Sequence, residues 1–204
     1  KVKILSKKNK VILIFDEITS GFKDNYGGIH LKFKVDPDMA IFGKSIGNGF
    51  PISAIIGRKK IMDMSHETFI SSTMWTDRLG FIAAKTTLEK IKKLDVNKKI
   101  SKYGVKIKKG WAKLAKKNNL KIIVSGIDSI PNFKFDHPDN LKISTFFVQE
   151  MLKFGYLANN SLATTYAYNE KIIDNYLMKV DKVFNKIRIK LKTKSLRLDG
   201  KVKH

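Results

Sequence analysis

Cysteine is absent from the 204 residues, so the chain forms no disulfide and offers no thiolate to a metal or a substrate. That absence fits a reducing compartment, and the cytoplasm is the expected location. Histidine is scarce: His30, His66, His137 and His204 show no paired spacing of the kind that holds a metal ion, so no metal site is expected. No apolar run approaches the roughly 18 residues that cross a bilayer. No segment combines a basic start, an apolar core and small cleavage residues. Membrane insertion and secretion are therefore not expected. Acidic residues are also few, 18 against 41 Lys plus Arg, which leaves a net charge of +23.

A charge of that size raises the possibility of a nucleic-acid partner. The excess, however, is lysine spread along polar helix faces, as at Lys98, Lys99, Lys102, Lys106, Lys108, Lys109, Lys113, Lys116 and Lys117. Arginines are few and no aromatics are interleaved, so a lysine-rich solvated surface is expected and no specific nucleic-acid site. The 43% hydrophobic content is enough for a real core. The first residue is Lys1 rather than Met, and the polar stretch Lys1 to Lys10 runs straight into an apolar strand, so the sequence reads as a piece of a larger protein.

Val11-Ile12-Leu13-Ile14-Phe15 is a continuous apolar run ending in Asp16-Glu17, the pattern of a parallel strand covered on both faces with polar groups at its C-terminal tip. In open α/β sheets ligands bind at such tips. Further strands are expected at Met39 to Phe42 and Ile52 to Ile56, separated by the glycine-punctuated loop 43–51. Asp77 caps a helix that turns Leu79, Ile82, Ala83, Thr86 and Ile91 towards a core. Ile100, Tyr103, Gly104, Ile107, Trp111, Leu114 and Ala115 recur at three- and four-residue intervals, which predicts an amphipathic helix with a packing role for Trp111. Strands follow at Leu120 to Val124 and Asn132 to Phe135, then a helix around Leu141 to Phe154 stopped by Gly155. The last helix carries Ile172, Ile173, Tyr176, Leu177, Val180, Val183, Phe184 and Ile187. The tail from Lys190 to His204 has no period and reads as frayed. Helices alternating with strands place a smaller α/β domain at 96–204 after a strand-rich part at 1–95.

An acid at the end of a buried strand and a lysine in a later glycine-rich loop are two halves of one chemical requirement. Pyridoxal phosphate (PLP) needs a lysine amine to hold it as an imine and a carboxylate to keep its pyridine nitrogen protonated. Asp16 and Lys44 supply these groups. A lysine in a poorly hydrated pocket of this kind would have a lowered amine pKa. Other readings of the loop fail: a P-loop needs glycine where Asp38 stands, and a dinucleotide fingerprint needs glycine where Ile52 stands.

The stretch Leu13-Ile14-Phe15-Asp16-Glu17-Ile18, then Gly21-Phe22, then Asp36-Pro37-Asp38, then Gly43-Lys44-Ser45-Ile46-Gly47-Asn48-Gly49-Phe50-Pro51, with Gly57-Arg58 following, resembles the cofactor segment of class III aminotransferases. Within that family it is most similar to the glutamate-1-semialdehyde aminomutase branch. The resemblance implies an α/β fold, the PLP-dependent transferase fold type I. Residues 1–95 would be the C-terminal part of the large mixed or parallel-sheet domain, and 96–204 a small C-terminal α/β domain. It implies amino-group transfer between a small-molecule amino donor and a carbonyl acceptor, through a Schiff base on Lys44. Asp16 would pair with the pyridinium nitrogen, Ile18 would press on one ring face, and Glu17 would orient its neighbours. Gly43 and Ser72 would support the site. Thr73 would donate to the cofactor phosphate of a partner subunit, which implies a homodimer.

Met74-Trp75-Thr76-Asp77-Arg78 departs from the family's small residue and Gly-Asn-Pro, Lys23 stands where arginine is common, and Tyr168-Asn169-Glu170 replaces His-Thr-Glu. Substrate choice is therefore expected to differ. The family's phosphate-holding turn and its ring-stacking aromatic would both precede residue 1. Two other readings stand beside amino transfer: a truncated, catalytically incomplete PLP-fold fragment, and a basic nucleic-acid-binding module.

Overall fold

The computed structural model describes residues 1–71, 73–75 and 77–202. The chain divides into two compact units, Lys1–Lys98 and Lys99–His204. Among the described residues no helix is long and apolar enough to cross a membrane.

The first unit opens with helix α1 (Val2–Lys8) and builds a three-stranded sheet in the order β1-β2-β3, from β1 (Ile14–Glu17), β2 (Met39–Phe42) and β3 (Ala54–Gly57). A one-turn helix α2 (Ile29–Lys32) lies between β1 and β2. β1 runs parallel to β2, with Asp16 opposite Ile41 and Glu17 opposite Phe42, and β3 returns antiparallel. Asp38 fixes where β1 and β2 begin. Its carboxylate accepts from the Leu13 backbone N–H and from Lys3, each at 2.9 Å, and its own N–H donates to the Leu13 carbonyl.

Because Asp38 captures Leu13, the ladder starts at Ile14 and not at Val11 as the apolar run suggested. The run is also not covered on both faces: Val11, Ile12 and Ile14 are all exposed. An apolar strand is buried on two faces only when a layer packs on each, and among the described residues one face of β1 stays open. Within β1 the pleat puts Glu17 inside and Asp16 outside.

After helix α3 (Lys59–Met62) comes α4 (Arg78–Lys93), whose N-cap Asp77 accepts from the Leu79 N–H at 2.9 Å as expected of a capping aspartate. Its buried stripe keeps the expected Ile91 but otherwise differs from the expected one. Ala84 and Ile91 are buried while Leu79, Phe81 and Ile82 are exposed. Several apolar residues around the helix permit more than one inward face, and packing chose the narrow one with Gly80 against Ile52.

The second unit has its own core. Helix α5 (Val96–Lys117) buries Ile100, Tyr103, Gly104, Ile107, Trp111 and Ala115, the stripe its periodicity predicts. Strands β4 (Ile122–Ser125) and β5 (Asn132–Phe135) form an antiparallel hairpin. They pack with α6 (Asn140–Lys153) and α7 (Glu170–Lys192) into a core centred on Phe133, whose ring lies 4.8 to 5.9 Å from those of Trp111, Phe135, Phe147 and Phe184. Trp111 also donates its indole N–H to Tyr176 at 3.1 Å inside this core. Gly155 ends α6 in the left-handed region, φ 81°, with the Tyr156 N–H returning to Met151 and its own N–H to Leu152.

The tail is packed over much of its length, contrary to its patternless sequence. α7 runs to Lys192, Leu196 is buried, and the Asp199 backbone bonds to the Gln149 side chain through both its N–H and its carbonyl. The α5 lysines meet local carboxylates: Lys102 and Lys106 pair with Glu170, Lys106 also with Asp174, Lys108 with Asp128, and Lys117 with Asp181.

Candidate active site

β1 and β2 are adjacent and parallel, so their C-terminal ends lie at one edge of the sheet. Asp16 is the penultimate residue of β1, and Lys44 stands two residues beyond Phe42, the end of β2. The intervening Gly43 packs against Ile18. A Cβ on Gly43 would sit 3.3 Å from Ile18 Cγ2, so even alanine would crowd the turn after β1. Its φ of −162° is ordinary extended backbone, and the requirement for glycine is therefore steric.

Lys44 opens a 3-10 turn (Lys44–Ile46) with φ 42°, a conformation that costs a residue with a Cβ about 1 kcal/mol or more. Hydrogen bonds from Ile46 N–H to Gly43 and from Asn48 N–H to Lys44 hold it there. The Lys44 ammonium donates to Thr19 Oγ1 at 2.8 Å. Asp16 accepts from the Ile18 N–H at 3.0 Å. Both Asp16 and Lys44 are exposed, so the dry pocket expected around the lysine is not built by the described residues.

Glu17, one residue from Asp16, has a different environment. It is fully buried; Oε1 accepts from the His30 backbone N–H and His30 Nδ1, both at 2.9 Å, and Oε2 accepts from Ser20 Oγ at 2.5 Å. An ionised carboxylate only accepts, so the imidazole carries its proton on Nδ1. Burial pushes the Glu17 carboxyl up, but donors from Ser20, Ile29 and His30 outweigh it and hold the group below its ordinary value. The turn following Glu17 is pinned further by Gly21 N–H to the Glu17 carbonyl at 2.7 Å. The Asn97 side chain also donates to the Phe22, Lys23 and Asn25 carbonyls.

The structure thus brings Asp16, Glu17, Ile18, Gly43 and Lys44 together. Thr73 lies in an exposed turn over 73–75 and is not joined to that group by a hydrogen bond among the described residues, and Ser72 lies outside the described residues. Two residues that the sequence did not assign to the site, Thr19 and His30, belong to the cluster. Thr19 sits inside the quoted motif region and is detectable only as a hydroxyl near an acid. His30, thirteen residues from its carboxylate, carries no local signal. No group of three or more His, Cys, Asp or Glu among the described residues could hold a metal ion.

A profile of the aminotransferase class-III family matches residues 1–161. The chain belongs to the class-III aminotransferases. It is 33% identical over 178 residues to a glutamate-1-semialdehyde 2,1-aminomutase of Bdellovibrio bacteriovorus, covering 79% of this chain and 41% of that protein. To a 3-aminobutyryl-CoA aminotransferase of Cloacimonas acidaminovorans it is 26% identical over 195 residues, covering 89% and 47%. Among solved structures, the FumI protein of Sphingopyxis sp. MTA144, in its PLP internal aldimine form, superposes with a TM-score of 0.84 at 20% identity, over 95% of this chain and 47% of that one. An omega-transaminase from Sphaerobacter thermophilus gives 0.80 at 18%, over 92% and 47%. At these identities the structural likeness establishes the fold, the α/β architecture of these transaminases. This class-III chain spans less than half the length of each of these four relatives.

Proposed function

We propose that this chain supplies the cofactor-holding lysine and carboxylate of a PLP-dependent amino-group-transfer site, of transaminase or glutamate-1-semialdehyde aminomutase type. The observation that carries the reading is the parallel pairing of β1 with β2, which brings the Asp16 carboxylate and the Lys44 amine to one sheet edge. The residues fit the cofactor. Asp16 lies on the open side of the pleat, among the described residues no ion pair engages it, and Ile18 gives an apolar surface beside Gly43.

Pyridoxal phosphate, when bound, supplies an electron-withdrawing pyridinium that eases loss of a proton from the carbon bearing the substrate's amino group. Asp16 would keep the ring nitrogen protonated. Lys44 would hold the cofactor through its amine and, when that amine is free, would carry the proton to and from the substrate carbon on Nζ. Ile18 would offer the apolar side chain beside the ring, and Glu17 fixes the turn that carries it. Gly43 and Ser72 support the loops. Thr73 is assigned to the cofactor phosphate of a second copy, which makes the working form a homodimer. The substrates are a small amino donor and a carbonyl acceptor, and residues 1–95 and 96–204 correspond to the large-domain part and the small domain.

Exposure of Asp16 and Lys44 favours a second reading, in which these 204 residues bind the cofactor without turnover. Proton transfer at a substrate carbon needs a site closed to water. One experiment separates the readings. The chain is incubated with PLP, reduced with borohydride, digested and mapped by mass spectrometry, and turnover with candidate amines is followed in parallel. Label concentrated on Lys44, lost in Lys44→Ala and weakened in Asp16→Asn, is expected. Equal label over many surface lysines would remove the assignment, and label on Lys44 without turnover selects the second reading.

A further inference from the structure

Resting on the reading of Lys44 as the cofactor lysine, we infer that Thr19 is a positioning residue: its hydroxyl holds the Lys44 amine at the end of β1 and keeps it from collapsing onto Asp16. The donor is Lys44 Nζ and the acceptor Thr19 Oγ1, 2.8 Å apart across 25 residues of sequence. Both ends of this bond are set by backbone. Around Thr19, Ile18 N–H bonds to Asp16 Oδ1, Ser20 Oγ to Glu17 Oε2, and Gly21 N–H to the Glu17 carbonyl. A β-branched side chain on such a turn has little choice of χ1. At the other end the left-handed backbone of Lys44, φ 42°, is closed by Asn48 N–H.

The chemistry of the acceptor matters. Lys44 and Asp16 carry opposite charges on the same sheet edge, and a direct ion pair would occupy both groups. Among the described residues no ion pair joins them, and the ammonium goes to a neutral hydroxyl instead. A neutral acceptor binds an ammonium less strongly than a carboxylate does, so the amine is held in place yet released readily to an incoming carbonyl carbon. Thr19 is three residues from Asp16, which keeps the amine and carboxylate on one strand end without pairing them.

The test uses the cofactor-free chain, in which each lysine's rate of acetylation by an N-hydroxysuccinimide ester is read by peptide mass. Thr19→Val removes the hydroxyl at nearly constant shape and should raise labelling of Lys44 about five- to tenfold. Lys7 and Lys93 should be unchanged, and Thr19→Ser should return Lys44 to the parent rate. An unchanged Lys44 rate in Thr19→Val, with PLP still fixed by borohydride at Lys44, overturns the role of Thr19 and leaves the cofactor reading intact. PLP fixed elsewhere overturns the cofactor reading itself. If every lysine in Thr19→Val accelerates together, the variant has unfolded and the parent chain decides. Ammonium protons of Lys44 must then exchange with water more slowly than those of Lys7 and Lys93 in 15N NMR, and equal exchange refutes the inference.

Discussion

Glu17 is where a small chemical change should have a large and localised effect. Glu17→Ala removes the acceptor for three donors, the His30 N–H, His30 Nδ1 and Ser20 Oγ, from a fully buried position. Hydrogen bonds to a charged group contribute about 1.5–3 kcal/mol each, and the low end is appropriate because Ser20 is only half-buried. The turn should lose about 4 kcal/mol, close to a thousandfold in the local opening equilibrium. Glu17→Gln keeps a carbonyl oxygen for His30 and lets the Ser20 hydroxyl rotate to accept, so only the charge assistance goes, about 1–1.5 kcal/mol or roughly tenfold.

The assay is hydrogen exchange of the His30 amide, which donates to Glu17, with the Phe133 amide in the second unit, which donates to the Asn160 carbonyl, as the unchanged reference. A His30 amide in Glu17→Ala that exchanges within about threefold of the parent would refute the account of the turn. The pH dependence has a fixed sign. The Glu17 carboxyl is held below its ordinary value of 4.5, so its stabilisation is complete above that pH and is lost as pH falls through the lowered value. Protection of His30 should therefore fall in that acidic range in the parent and not in Glu17→Gln.

In α5, Gly104→Ala should destabilise the second unit although alanine is the better helix former by about 1 kcal/mol. Its Cβ would lie 1.5 Å from the Asp128 carbonyl oxygen, so the helix or the 126–131 loop must move. A urea midpoint equal to or above that of the parent would contradict this packing. Glu150, buried on α6 between Lys186 and Lys153, is pushed up by burial but held below its ordinary value by those two ammonium groups. Its contribution is thus present above pH 4.5 and lost on acidification, and Glu150→Gln should flatten the acid limb of second-unit stability measured by near-UV circular dichroism.

Where the sequence succeeded, the deciding physics was local. The α5 stripe, the Asp77 cap, the Gly155 stop and strand β5 depend on residues within a turn or two of one another, so their spacing is sufficient to find them. That Asp16 and Lys44 lie near one sheet edge follows for a related reason: one is near the end of β1 and the other just past the end of β2, and parallel neighbours bring like ends together.

What the tertiary structure alone decided concerns partners distant along the chain. Only packing shows that α4 turns Ala84 inward beside the expected Ile91 while Leu79 and Ile82 stay exposed, and that Leu196 and Asp199 dock a tail without periodicity. Alternation along β1 distinguishes an inner from an outer acid but not which neighbour meets which. Glu17 found His30 thirteen residues on, and Lys44 found Thr19 twenty-five residues back, because turn geometry after the strands set those approaches. A side chain's type is written in the sequence, whereas the group facing it depends on how separate segments pack.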